Sequence, residues 1–293
     1  MKLSTMQIFY KDTPDDMGLV NALIKTNQIG FDAIDFCMCP LQRGETELAR
    51  DGWENVLEKL VAVKEKYGLD IAQSHLPYPK VATRRKYATD EGCEQNEYFK
   101  MMTERAVRVS AALGVKWAIV HPVEYETTDS QLLYRESIAY NHKIYDPVVK
   151  LASSLGVGIA FENMADPDGR HFGVTGEELV DIVESFNDSR VGACWDFGHG
   201  NRVFKDQAPQ LRKVGKNLHA THVDDNMGKD DLHTIPFFGT VNWRQLMPLL
   251  KEIGYEGCFN YELSIFKRMP EDMMTETAFL AYHMGRKLLE MAK

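Results

Sequence analysis

Hydrophobic and polar positions follow two periods along most of this chain. Helix-period segments place apolar residues three and four apart and stop at a glycine. Segment 53–67 carries Val56, Leu57, Leu60 and Val61 on one face before Gly68, and 98–113, 138–155 and 243–253 stop before Gly114, Gly156 and Gly254. A last helical segment, 273–291, ends the series. After each of the internal glycines comes a short apolar run ending on a polar residue: His75, His121, Glu162 and Glu262 in turn. Two further runs end on Asp196 and His222, and an earlier one, 31–36, contains Asp35. Helix and short strand in alternation predict βα units on a parallel sheet.

From Asp35 to Glu262 these polar positions recur about every 38 residues, room for one strand, one helix and two loops. With 3–9 as a first strand the count reaches eight, and no Pro/Gly/Ser-rich linker breaks the series. The expected architecture is α/β: a single (β/α)8 TIM barrel over residues 1–293. Active sites of such barrels lie at the C-terminal strand ends, and here six consecutive strands end in His, His, Glu, Asp, His and Glu. Strand parity aims Gly158 and Ala160 inward beneath Glu162, and Gly192 and Cys194 beneath Asp196. These small residues are expected to leave room for a metal and a substrate.

Composition narrows the class. The chain is 44% hydrophobic and 26% charged, ordinary for a globular protein. No apolar run approaches the roughly 18 residues of a membrane span, and 1–7 lacks a signal-peptide core, so a cytoplasmic protein without membrane contact is expected. A net charge of −9 disfavours a broad electrostatic grip on nucleic acid. The five cysteines, Cys37, Cys39, Cys93, Cys194 and Cys258, form no disulfide framework. Cys37 and Cys39 are expected to be two buried structural thiols.

Burying three carboxylates with several imidazoles is costly without a cation. The mixed nitrogen and oxygen set suits Mn²⁺, Mg²⁺, Co²⁺ or Zn²⁺. Three more residues join the candidates: His199, three after Asp196, and Asp231 with His233 in the loop after His222. His142, His171 and His283 are expected to be structural. His219, opposite in strand parity to His222, is expected to face the helices.

The series Ser74-His75-Leu76-Pro77-Tyr78, Val120-His121-Pro122, Phe161-Glu162-Asn163, Trp195-Asp196-Phe197-Gly198-His199, Thr221-His222-Val223-Asp224-Asp225-Asn226, Asp231-Leu232-His233 and Tyr261-Glu262-Leu263 resembles the xylose isomerase-like superfamily of sugar isomerases, epimerases, dehydratases and endonuclease IV. The resemblance to its ketose epimerases implies Glu162, Asp196, His222 and Glu262 as ligands of one divalent ion, Mn²⁺ first, with Zn²⁺, Co²⁺ or Mg²⁺ as alternatives. It makes Glu162 and Glu262 an acid/base pair on opposite faces of a carbohydrate substrate, and gives His199 a substrate contact. An enediolate would form by proton loss next to the carbonyl. Those epimerases carry an arginine shortly after the position of His222; here Lys229 is the candidate replacement. Asn242 and the Phe237-Phe238 insert are further departures.

The rival implied by the same resemblance is an endonuclease IV-like enzyme with three zinc ions. His75, His121, Glu162, Asp196, His199, His222, Asp231, His233 and Glu262 have its nine ligand types. A basic run of Lys80 with Arg84-Arg85-Lys86 would then meet DNA, but no other basic cluster with interleaved aromatics is present. The isomerase or epimerase reading is preferred, with a sugar dehydratase or lyase as a further alternative, and a homo-oligomer is compatible with the superfamily. Tyr10, Trp117, Tyr125, Phe237 and Phe238 are candidates to stack on a sugar ring.

Overall fold

The computed structural model describes residues 1–78, 94–125, 127, 129–165 and 172–292; Lys80, Arg84, Arg85, Lys86, Cys93 and His171 lie outside them. Eight parallel strands form the interior: β1 (Leu3–Met6), β2 (Ala33–Cys37), β3 (Ile71–His75), β4 (Trp117–Val120), β5 (Gly158–Glu162), β6 (Val191–Asp196), β7 (Leu218–His222) and β8 (Phe259–Tyr261). Their order is β7-β6-β5-β4-β3-β2-β1-β8. The ring closes past the strand ends, where Val223 N–H donates to Asn260 O at 2.7 Å and Glu262 N–H to Val223 O at 3.1 Å. This is a TIM barrel.

Helices cover the outside: α1 (Gly18–Ile29), α2 (Trp53–Tyr67), α3 (Glu94–Ala112), α4 (Ser130–Ser154), α5 (Gly176–Ser185), α6 (Phe197–Val203), α7 (Ala208–Val214), α8 (Trp243–Glu252) and α9 (Met274–Met291). Helix α4 starts eight residues earlier than its apolar period suggests, because Asp129 Oδ1 caps the N–H groups of Gln131 and Leu132 at 2.9 and 3.0 Å. Helix α5 opens on a capping box, in which the Thr175 hydroxyl accepts from Glu178 N–H and the Glu178 carboxylate accepts from Thr175 N–H. Most buried apolar side chains lie in one cluster between strands and helices, among them Leu3, Phe36, Phe161, Trp195, Trp243 and Phe259. None of the described helices is long and apolar enough to cross a membrane.

The barrel axis corrects three expectations. Ile119, Ala160, Cys194 and Ala220 form a small buried cluster inside the strands, with Trp117 packed against it. Gly158 and Gly192 do not leave space for a ligand; they make way for two rings. A Cβ on Gly158 would lie 2.5 Å from the Trp117 ring, and one on Gly192 would strike His219. His219 therefore turns into the barrel rather than toward the helices, stacking on Trp117 with centroids 4.1 Å apart. The cause is a slip in register: Ala193 pairs with Leu218, but Cys194 pairs with Ala220. His219 is the extra residue, and a bulge resets the alternation of faces. Trp117 is consequently floor packing and no candidate for a sugar ring.

Candidate active site

The strand ends bring the proposed residues together. Glu162, at the end of β5, is fully buried. Its Oε1 lies 2.8 Å from His222 Nδ1, and its Oε2 lies 3.1 Å from His121 Nε2 and 3.3 Å from His75 Nε2. Glu262, directly after β8, places Oε2 3.0 Å from the same His222 Nδ1. Glu162, Asp196, His222 and Glu262 each offer a ligand atom, all within 4.8 Å of one another. Among the described residues, none makes a hydrogen bond to the buried oxygens Glu162 Oε2 and Asp196 Oδ2. Unpaired buried carboxylate oxygens beside an imidazole are what a small cation would satisfy, so these residues fit the expected divalent ion.

Two flanking groups share the same mouth. His75, His121 and Glu162 form one. Tyr78 stacks on His121 at 4.4 Å, forming a wall of this corner. His199, Asp231 and His233 form the other. Asp196 caps the short helix α6 by accepting from His199 N–H at 2.6 Å, which explains the three-residue spacing between them. His199 Nδ1 lies 2.9 Å from Asn163 O and its Nε2 3.5 Å from Asp231 Oδ2. His233 has a left-handed backbone, φ 43°, with Nδ1 2.9 Å from Glu262 O and Nε2 2.9 Å from Asp231 Oδ2.

Charge in this cavity is strongly displaced. Burial alone would raise Glu162, yet the charge and hydrogen bond of His222 and the close imidazoles of His121 and His75 hold it well below the carboxylate range. Burial opposes protonation of His222, but Glu262, Cys194 and Glu162 keep it well above the usual imidazole value. Against the same penalty, Glu162 lifts His75 to about 9, and Asp196 with Asp231 lifts His199 to about 10. Burial takes His121 down to about 4 and pushes Asp196 up to about 7, the latter helped by Glu162 and Glu262. Protons on imidazoles thus balance the carboxylates.

The Lys229 side chain is exposed, while its carbonyl accepts from Arg202 Nε at 2.9 Å. Tyr10 donates to Glu47 Oε2 at 2.9 Å, and Tyr125 stacks on Tyr140 at 5.2 Å. Phe237 and Phe238 project from the loop after β7, 42% and 56% exposed. That loop is held by buried Asp225, which accepts from Phe237 N–H, Val241 N–H and Trp243 Nε1–H. Cys37 and Cys39 are half-buried free thiols rather than fully buried ones. His142 is structural as expected, placed between Asp146 and Ser185 on the barrel exterior. A cleft of about 970 Å³, lined by residues of α1, α9 and the segment after β1, contains none of the clustered carboxylates or histidines.

Sequence reasoning missed Asp35, Asn163 and Asp224. Asn163 brackets Asp196, accepting from its N–H at 2.6 Å and donating to its carbonyl at 3.0 Å. Asp224 is fully buried with both carboxylate oxygens unpartnered, 3.7 Å from His233 Nδ1. Its inward parity with His222 was the available signal.

Comparison with known proteins agrees with this fold. The family model described as xylose isomerase-like TIM barrel matches residues 23–282. Among solved structures, the chain is similar to a D-tagatose 3-epimerase-like protein, with TM-score 0.76 and 20% identity over 100% of this chain and 98% of that one. It is similar to D-psicose 3-epimerase from Clostridium cellulolyticum H10, solved with D-tagatose, with TM-score 0.72 and 16% identity over 99% of each chain. It is also similar to the IolI protein with a bound zinc atom, with TM-score 0.70 and 18% identity over 100% of this chain and 98% of that one.

Proposed function

The chain belongs to the xylose isomerase-like TIM-barrel family, and on that premise we propose that it is a divalent-metal-dependent isomerase or epimerase of a sugar, keto-sugar or sugar phosphate. One observation carries the reading: Glu162 and Glu262 approach the same nitrogen of His222 from different strands, at 2.8 and 3.0 Å, with Asp196 in the same group. Glu162, Asp196, His222 and Glu262 would hold the ion, Mn²⁺ by first preference. When bound, it supplies Lewis acidity at the substrate carbonyl and stabilises an adjacent enediolate. The protein's own part is proton handling. One of Glu162 and Glu262 removes a proton from the carbon beside the carbonyl and the other returns it from the opposite face. His199, held by Asn163 and Asp231, contacts a substrate oxygen. The fold neighbours whose names specify sugar 3-epimerases support this substrate class. A cytoplasmic location goes with the reading.

A second reading has its own observation. The groups His75–His121–Glu162 and His199–Asp231–His233 flank the central one and complete nine residues of the type used by a three-zinc, endonuclease IV-like site. Metal analysis of purified protein separates the two. About one ion per chain, with conversion of a keto-sugar to its epimer, supports the isomerase. About three zinc ions with cleavage of abasic DNA would replace it.

A further inference from the structure

Beneath the proposed ligand layer lies a second polar layer with no assigned role. Asp35, on β2, is fully buried. Its Oδ2 accepts from Gln73 Nε2 at 2.9 Å and from Asn260 Nδ2 at 2.7 Å. The same oxygen lies 3.4 Å from His222 Nε2. Neither His222 Nε2 nor Asp35 Oδ1 has a hydrogen-bond partner among the described residues. The His222 ring thus has one carboxylate environment per nitrogen: Glu162 and Glu262 at Nδ1, Asp35 at Nε2.

We propose that Asp35 is a positioning residue that decides which nitrogen of His222 faces the ligand layer. A neutral imidazole carries one N–H, and the acceptor beside one nitrogen determines where it sits. When an ion replaces the proton on Nδ1, beside Glu162 and Glu262, the one N–H left on the ring is Nε2–H, which faces Asp35 Oδ2 at 3.4 Å. Partners of this kind fix ring orientation and raise the basicity of a metal-binding histidine. Gln73 on β3 and Asn260 on β8 hold Asp35 in place by donating to one of its oxygens. Gln73 also donates to Thr221 O at 3.3 Å, tying the layer to the residue before His222. His75 stacks on the His222 ring at 5.4 Å and 9°, so the ring is constrained on its face as well. The metal part of this inference rests on the proposed function; the orientation of His222 does not.

The experiment compares Asp35→Asn and Asp35→Ala with the unaltered full chain. Mn²⁺ and Zn²⁺ affinities are measured by chelator competition, and the Nε2–H resonance of His222 is followed in metal-free, ¹⁵N-histidine-labelled protein. Asp35→Ala is expected to weaken metal binding about 10–100-fold. Asp35→Asn, which keeps an acceptor but loses the charge, is expected to fall between it and the parent. The Nε2–H resonance is expected to move upfield in both variants. Parent-like affinity together with an unmoved resonance in a folded variant would overturn the proposal. If Asp35→Ala does not fold, Asp35→Asn is judged by the same two readouts. If the parent chain binds neither ion, the metal reading fails, and the resonance alone decides whether Asp35 orients His222.

Discussion

At the scale of single residues, three carboxylates and an imidazole share one buried space, and each ionised group needs a compensating charge. Protons on His222, His75 and His199 supply it in the protein alone. Because the folded-state affinity of His222 for its proton is raised, that proton is present at neutral pH and a cation must displace it. Metal binding should therefore weaken as pH falls, and adding Mn²⁺ to weakly buffered protein at pH 7 should acidify the solution. A pH-independent affinity between pH 6 and 8 would contradict this. Glu162→Gln and Glu262→Gln should each lower turnover by at least about 10²-fold and weaken metal binding, checked by kinetics and titration calorimetry. Near-normal turnover in either variant would remove the two-carboxylate mechanism. The residues at strand ends were legible because the repeat aligns them after every apolar run. Asp35 sits inside its strand, and nothing local separates it from a solvent-facing aspartate until Gln73, Asn260 and His222 are seen around it.

At the scale of elements, apolar period and glycine stops located α2, α3, α4, α8 and α9, while α1, which also stops at a glycine, and α5, set by the Thr175 capping box, were not identified. Strand faces were legible where the register is unbroken: Ala160 and Glu162 point inward together. They were not legible in β7, where the slip between Ala193 and Cys194 turns His219 onto Trp117. Alternation assumes two residues per repeat, and a bulge adds one without a mark in composition. The Trp117–His219 stack needs the bare backbone of Gly158 and Gly192. Gly158→Ala places a methyl 2.5 Å from the Trp117 ring and should lower stability by about 1–3 kcal/mol in urea unfolding. Unchanged stability would show that the floor is looser than the packing described.

At the scale of the whole molecule, the four consecutive strands of the second half of the chain meet at one layer. Glu162 and His222 come from β5 and β7, Asp196 from β6, and Glu262 follows β8 at the seam where the ring closes. An ion bound there would join four parts of the barrel and favour the folded state. With free metal at 100 times its dissociation constant, stabilisation should reach about 2.7 kcal/mol and disappear on chelation, as read from denaturant midpoints. Midpoints that ignore both metal and chelator would argue against a central ion site. The eight-unit architecture was legible from spacing alone. The reaction is a property of which groups face one another across the barrel. It is tested most directly by incubating metal-loaded protein with keto-sugars in D₂O and following the carbon beside the carbonyl by NMR. The account predicts deuterium at that carbon together with the epimeric or isomeric sugar, both lost in Glu162→Gln. No label in any keto-sugar or sugar phosphate, alongside cleavage of abasic DNA by the same preparation, would contradict it.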